Sequence, residues 1–183
     1  MTLEKLDNRA ALIVIDLQAG TLGNPTVHPA EQIVENSASL AEAFRHRGLP
    51  VVVATVVGSP AGRTGYGGGQ RSYPSEFAVV APELRVQPTD ILVTRATWSA
   101  FAGTDLSLTL RQLGVSQVVL VGIATSFGVE STARAAYDLG YDVVVVTDAV
   151  TDLRVESHEN SVARVFPALS QAATTGELLQ LLA

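Results

Sequence analysis

The chain has 183 residues, of which 47% are hydrophobic and 16% charged, and it carries a net charge of −6. This length and composition predict a single domain, residues 1–183, with a large apolar core. The acidic excess, the scattered basic residues and the lack of a signal-peptide or membrane-spanning pattern argue against nucleic acid and membranes as partners, so we expect a cytoplasmic protein.

Short β-branched runs alternate with amphipathic stretches along the chain, which is typical of parallel strands joined by helices. The predicted strands are Ala10–Asp16, Val51–Val56, Ile91–Arg95, Gln117–Gly122, Asp142–Asp148 and a short one at Ala172–Thr174. The predicted helices lie between Pro29 and Gly48, over Asp105–Leu113 with Thr104 as N-cap, over Val129–Leu139, and after a Thr174-x-x-Glu177 capping box.

This alternation predicts an α/β fold of three layers, with a doubly wound, six-stranded, mostly parallel sheet and helices on both faces. Ligands of such sheets bind beyond the carboxyl ends of the strands, where the strand order reverses. The candidate positions are therefore the predicted strand ends Asp16, Arg95 and Asp148 and the turn Ala124–Gly128. Taken alone, Asp16 could equally cap a turn, and Arg95 could be an ordinary surface cation.

Residues 58–75, here called the glycine-rich arm, contain six glycines and two prolines. This composition predicts that the segment forms no packed element. It is either a mobile surface connection or a lid that sets specificity, and both interpretations stay open. The Gly67-Gly68-Gly69 run lacks the Lys-Ser/Thr end of a phosphate-binding loop, which argues against nucleotide binding.

Three segments resemble the isochorismatase-like hydrolases in order and spacing across nearly the whole chain. They are Asp16-Leu17-Gln18, the run Trp98-Ser99-Ala100-Phe101 that follows Arg95, and the turn Gly122-Ile123-Ala124-Thr125-Ser126-Phe127-Gly128. The resemblance implies that Asp16 acts as acid or base, that Arg95 stands at the position of a supporting lysine, and that Gly128 stands at the position of a nucleophilic cysteine.

The same resemblance implies a set of substrate-binding residues and a cis peptide between Ala124 and Thr125. The implied substrate-binding residues are Gln18, Trp98, Phe101, Ala124, Thr125 and Phe127. For the aromatic residues among them the alternative is an ordinary place in the core.

The chain departs from the cysteine hydrolases of this family at two positions. Gly128 supplies no thiol, the 183 residues contain no cysteine, and Ser126 on the same turn is expected to point elsewhere. True isochorismatases resemble this chain in having glycine there, and they hydrolyse a vinyl ether by protonation. Arginine at position 95 cannot give up its proton and lowers the pKa of a nearby carboxylate, but its planar fork suits a carboxylate ligand.

We therefore expect a hydrolase of a small, anionic metabolite, with a vinyl ether or a cyclic or C–N bond as the target, that uses Asp16 in acid/base catalysis and needs no cofactor. The alternatives are an inactive protein that binds a carboxylate through Arg95, or a structural or regulatory subunit. His28, His46 and His158 are far apart in the sequence and residues 57–90 contain no histidine, so we expect no metal site. We also expect a homo-oligomer, a dimer or larger, with its interface near the mouth of the site.

Overall fold

A computed structural model describes residues 3, 5–65 and 67–183, so Tyr66 of the glycine-rich arm lies outside the described residues. The strands are β1 (Ala10–Ile15), β2 (Val51–Val56), β3 (Gly58–Ser59), β4 (Arg63–Thr64), β5 (Gly67–Gly68), β6 (Arg71–Ser72), β7 (Ile91–Arg95), β8 (Gln117–Ile123), β9 (Asp142–Thr151) and β10 (Gln171–Ala173). The helices are α1 (Ala19–Leu22), α2 (Ala30–His46), α3 (Leu106–Gln112), α4 (Glu130–Asp138), α5 (Val155–Asn160) and α6 (Thr175–Leu182).

The predicted α/β sheet is confirmed: six parallel strands pair in the order β10-β9-β8-β1-β2-β7. From β1 the chain moves outward through β2 to β7, and it then crosses to β8 on the other side of β1. The strand order therefore reverses between β1 and β8. Because Ile15 pairs with both Ala54 and Gly122, the residues that follow β1 and β8 meet at this reversal.

Helices cover both faces of the sheet because successive strand residues point to opposite sides. One face packs Leu12, Val14, Val119 and Val121 against α2 and α6, through buried residues such as Phe44 and Leu178. The other face packs Ile13, Ile15, Val118 and Leu120 against α3 and α4, through buried residues such as Leu110 and Ala133. Strands that are apolar on both faces thus form two separate cores.

The predicted helix boundaries differ from the structure by about one residue. Pro29 precedes α2 and does not occupy its first turn, and α3 begins after Asp105 and not after Thr104. The capping box of α6 is confirmed, because the Thr174 hydroxyl accepts from the backbone N–H of Glu177 and the Glu177 carboxylate accepts from that of Thr174.

The predicted strand end at Asp148 was wrong. Strand β9 continues to Thr151, so Asp148 lies inside the strand and not at its carboxyl end. The Asp148 carboxylate accepts hydrogen bonds from the backbone and the hydroxyl of Thr175, at 2.8 and 2.9 Å, and so supports the start of α6. Asp148 therefore belongs to the framework. The extra length of β9 follows an irregularity in its pairing with β8, between Leu120 and Gly122.

The glycine-rich arm is more regular than predicted. Gly58 and Ser59 pair with Ser72 and Arg71 in one antiparallel ladder, and residues 63–64 pair with residues 67–68 in another. A Cβ at Gly58 would lie 2.2 Å from the Arg71 carbonyl oxygen, so only glycine permits the first ladder. Most of the arm's side chains remain exposed to solvent. Within the described part of the chain, no helix is long and apolar enough to cross a membrane.

Candidate active site

Asp16 follows β1 directly and lies at the reversal of the strand order. Its φ is +50°, a left-handed conformation that aspartate tolerates better than most residues. Its backbone carbonyl accepts hydrogen bonds from the N–H of Gln18 and the hydroxyl of Thr21. Although Asp16 is only 6% exposed, its carboxyl group borders a cavity.

Arg95, at the end of β7, binds Asp16 with both terminal nitrogens of its guanidinium. Nη1 donates to Oδ1 of Asp16 at 2.6 Å, and Nη2 donates to Oδ2 at 2.9 Å and to the Trp98 carbonyl at 2.9 Å. The pair is buried, with exposed side-chain fractions of 1% for Arg95 and 9% for Asp16. The fork that the sequence suggested for a ligand carboxylate is therefore occupied by Asp16.

Two opposing effects act on the Asp16 carboxyl. Burial raises its pKa above the ordinary value, because the charged form loses its hydration. The hydrogen bonds and the charge of Arg95 oppose that rise. Burial is the larger effect, which brings the carboxyl closer to the range in which it can hold and release a proton.

The turn after β8 forms the opposite side of the site. The cis peptide lies between Ile123 and Ala124, so the predicted position between Ala124 and Thr125 was wrong by one bond. Residues 125–129 then make a single π-helical turn that leads into α4. In this turn Gly128 faces Asp16, since a Cβ on Gly128 would lie 3.2 Å from Oδ2 of Asp16 and 2.8 Å from Cγ2 of Ile15.

Buried groups from the segment after β9 hold this turn. The carboxylate of Asp152, which is fully buried, accepts from the backbone N–H of Ser126 at 2.6 Å. Nδ1 of His158 lies 2.9 Å from the hydroxyl of Thr125, and the rings of His28 and His158 meet edge to face at 4.9 Å. Burial, and then His28, lower the pKa of His158, which favours its neutral form.

The cavity above Asp16 has a volume of about 280 Å³. Gly128 and Ala124 line it beside Asp16, and Trp98 and Phe127 form an aromatic wall with ring centroids 4.9 Å apart. Trp98 is 57% exposed, so this wall reaches the mouth of the cavity. The lining is largely apolar, as is usual for sites that bind small molecules.

Three of the residues predicted to bind substrate do not line this cavity. The side-chain amide of Gln18 donates to the carbonyls of Val56 and Phe77 and accepts from the backbone of Val56, so it ties three segments together. Phe101 is buried in the core, where it stacks on Tyr141. Thr125 is fully buried, and its hydroxyl bonds to His158.

The cavity also contains residues that the sequence did not point to. Thr21 and Asn24 come from α1 and the turn after it, Tyr73 and Phe77 from the end of the glycine-rich arm and the segment behind it, and Leu153 from the segment after β9. In the sequence, the aromatic residues Tyr73 and Phe77, which follow the glycine run, could have indicated this part of the cavity. Among the described residues, no group of three or more His, Asp and Glu side chains could hold a metal ion.

Comparison with known proteins places these features in a family. The isochorismatase domain family matches residues 10–177. The isochorismatase family protein YwoC of Bacillus subtilis is 40% identical over 179 residues, covering 94% of this chain and 93% of its own. A probable isochorismatase of Pseudomonas chlororaphis is 27% identical over 177 residues, covering 93% of this chain and 85% of its own. The structure of an isochorismatase family protein from Burkholderia thailandensis superimposes with a TM-score of 0.92 at 39% identity, covering 97% of each chain.

Proposed function

The chain belongs to the isochorismatase family of hydrolases, and from this premise we propose that it cleaves a vinyl ether in a small anionic metabolite by proton transfer from Asp16. The reaction has no covalent enzyme intermediate. Its products are pyruvate, when the vinyl group carries a carboxylate, and an alcohol.

The observation that carries this proposal is that the buried Asp16 carboxyl borders the cavity directly beside Gly128, a residue without a side chain. A Cβ at position 128 would lie 2.8 Å from Cγ2 of Ile15 and 3.2 Å from Oδ2 of Asp16, so the backbone packs too closely here for a side chain. The 183 residues contain no cysteine, and Ser126 is not among the residues that line the cavity. These observations support Asp16 as a proton donor, and among the described residues they offer no side chain in the place of a nucleophile.

Of the two carboxyl oxygens, Oδ2 is the better proton carrier. It faces Gly128, and its contact with Arg95 is the longer one, 2.9 Å against 2.6 Å for Oδ1. The Nη2 group that reaches Oδ2 also donates to the Trp98 carbonyl, so it keeps a partner when Oδ2 is protonated. Arg95 then holds Oδ1 and fixes the orientation of the carboxyl.

The chemistry balances with one water molecule. The Oδ2 proton moves to the terminal methylene of the vinyl ether, which becomes a methyl group, and the adjacent carbon becomes an oxocarbenium ion beside the Asp16 carboxylate. Water adds to that carbon and returns a proton to Asp16. The resulting hemiketal breaks its bond to the alcohol oxygen, which takes up the hydroxyl proton, and releases the keto acid.

The same cavity bears on the shape of the substrate and on the alternative function. The apolar aromatic wall of Trp98 and Phe127 suits a cyclic substituent on the ether oxygen. The inactive carboxylate-binding alternative gains no support, because Asp16 occupies the Arg95 fork.

We further propose that the protein acts in the cytoplasm, as a homo-oligomer with its interface near the cavity mouth.

The test uses phenyl 1-carboxyvinyl ether in heavy water. We expect release of pyruvate and phenol in equal amounts, with one deuterium in the pyruvate methyl group, because the enzyme delivers a solvent-derived proton to the methylene. The matched control is the Asp16→Asn protein, which should release neither product. Cleavage without deuterium in the methyl group, or no cleavage by the parent protein, would contradict the proposed reaction.

A further inference from the structure

A fully buried carboxyl group has no part in the proposed proton transfer. It belongs to Asp152, in the segment between β9 and α5, which is 0% exposed. Among the described residues, Asp152 forms no ion pair with a lysine, arginine or histidine. Burying a carboxyl group costs free energy unless other groups compensate, so the contacts of Asp152 indicate what this group does.

The compensation comes from three backbone N–H groups. Oδ1 of Asp152 accepts from Leu153 at 2.7 Å and from Arg154 at 3.3 Å, the next two residues in the chain. Oδ2 accepts from Ser126 at 2.6 Å, across 26 positions of sequence. One oxygen therefore orders the start of α5, and the other ties this segment to the turn after β8.

The turn after β8 begins without a side-chain cap of its own. Its N-cap residue is Ala124, whose side chain cannot accept a hydrogen bond. The first N–H groups of a helix find no partner within the helix, and a negative group beside them is favourable. Asp152 therefore caps the turn from a distant part of the chain.

The capped N–H lies next to the residues that form one side of the active site. Phe127 and Gly128 follow Ser126 directly, and both line the cavity above Asp16. The Phe127 ring meets the Trp98 ring at 4.9 Å, and a Cβ on Gly128 would lie 3.2 Å from Oδ2 of Asp16. A shift of Ser126 would therefore move both the aromatic wall and the backbone that faces the proton donor.

The backbone of Asp152 also fixes another side of the cavity. Its carbonyl accepts from the N–H of Val27 at 2.8 Å. Asn24, which comes three residues before Val27, lines the cavity, as does Leu153, which follows Asp152. Asp152 thus joins three segments that surround the cavity, although it does not line the cavity itself.

We propose that Asp152 is a positioning residue for the reaction, because it caps the turn after β8 and so holds Phe127 and Gly128 in place opposite Asp16. It touches no reacting atom and acts through the turn. Proton transfer depends steeply on the placement of donor and acceptor, so a small shift of the turn lowers kcat more than it weakens substrate binding. The effect on kcat rests on the proposed function, whereas the effect on the turn does not.

Two variants break the bond to the turn and keep the local ones. In Asp152→Asn the carboxamide has one acceptor oxygen, which keeps two bonds when it faces Leu153 and Arg154 and only one when it faces Ser126. It should take the first orientation and leave the Ser126 N–H opposite an NH2 group. In Asp152→Ser the hydroxyl can accept from the local N–H groups but is too short to reach the turn.

The kinetic test uses phenyl 1-carboxyvinyl ether at a temperature at which every variant is folded. We expect both Asp152 variants to lower kcat by about tenfold and to keep KM within about twofold of the parent value. The matched control is Asp148→Asn, which disturbs the bonds to Thr175 at the start of α6 and should keep the parent kcat. The parent kcat in either Asp152 variant, or an equal loss in the control, would overturn the proposal.

The pH profile separates positioning from a direct effect of charge. Burial, Arg95 and the backbone of Val56 shift the pKa of Asp16, and Asp152 is not among these influences. The profile of kcat against pH should therefore keep the parent's midpoint in Asp152→Asn. A displaced midpoint would show that Asp152 acts through its charge, and this result would overturn its role as a positioning residue.

Tryptophan fluorescence tests the turn without any reaction. Trp98 is the only tryptophan of the chain, and its ring contacts that of Phe127, so its quenching by acrylamide reports the position of the turn. We expect stronger quenching in both Asp152 variants, in the direction of Phe127→Ala, and the parent's quenching in Asp148→Asn. If the parent does not cleave the ether, the proposed reaction fails, and this measurement still tests the hold of Asp152 on the turn. Quenching equal to the parent's in either Asp152 variant would overturn that hold.

Discussion

Replacing each member of the Asp16–Arg95 pair, singly and together, separates its role in stability from its role in catalysis. Asp16→Asn removes the group that carries the proton, and it also removes the negative charge that the ionised form of Asp16 places beside the buried Arg95 guanidinium. Arg95→Met fills a similar volume with an apolar chain but leaves the Asp16 carboxyl buried without the arginine. The double variant removes both charges at once.

The magnitudes follow from the burial of the pair, in which the Arg95 side chain is 1% exposed and that of Asp16 is 9% exposed. Breaking a buried ion pair by removing one partner typically costs about 3–5 kcal/mol of the free energy of unfolding. For a chain of this size, each kcal/mol lowers Tm by about 2–4 °C, so each single variant should lose about 6–20 °C. The double variant should recover most of that loss, because replacing both charges is often close to neutral.

The assay combines thermal unfolding with pyruvate release from phenyl 1-carboxyvinyl ether. The double variant is the informative protein, because it should be folded at the assay temperature and yet inactive. Since Arg95 opposes the burial-driven rise in the Asp16 pKa, Arg95→Met should raise that pKa further. Its activity should then persist to higher pH than that of the parent, because the acid must be protonated to act.

Three results would refute this reasoning. If the double variant lost the sum of the two single losses in Tm, the two groups would not be coupled. If a folded protein that lacks the Asp16 carboxyl cleaved the ether at the parent rate, Asp16 would not be the proton donor. If the pH profile of Arg95→Met moved toward lower pH, the sign assigned to the effect of Arg95 would be wrong.

Three further predictions concern the turn after β8 and the assembly. Gly128→Ala should lower the free energy of unfolding by about 1–3 kcal/mol in chemical denaturation, because its Cβ would lie 2.8 Å from Cγ2 of Ile15. The control is Gly176→Ala, whose Cβ meets nothing within 4 Å and which should destabilise the protein less. Equal losses in the two variants would contradict this steric explanation. His158→Leu should lower the free energy of unfolding by about 1–3 kcal/mol and reduce kcat, because it leaves the buried hydroxyl of Thr125 without its hydrogen-bond partner. His158→Asn restores an acceptor near the position of Nδ1, so it should recover part of the lost stability and part of the lost kcat. Identical behaviour of the two variants would show that this hydrogen bond does not hold the turn. Light scattering should give a mass that is a multiple of 19.2 kDa, and a monomer mass at micromolar concentration would refute the expected homo-oligomer.

The alternation of apolar runs with amphipathic stretches was enough to predict the layers of this protein. Strands buried on both faces have to be apolar at every position, as Ala10–Ile15 and Gln117–Ile123 nearly are, and this pattern is local to each segment. The parallel connections then place the strand ends on one edge, which is why Asp16 and the turn at Gly128 could be located before the structure.

The tertiary structure decided where side chains point and what they bind, because those properties depend on residues distant in sequence. Arg95 could serve a ligand or Asp16, and its fork meets Asp16 because β7 and β1 lie on either side of β2. The prediction for Asp148 was wrong because β9 continues past the irregularity in its pairing with β8. The Gln18 side chain does not line the cavity, because its amide is bonded to the backbone of Val56 and Phe77. A periodic sequence pattern predicts that a segment forms a strand. The residue at which the strand ends, and the groups that its end contacts, are determined only when the sheet assembles.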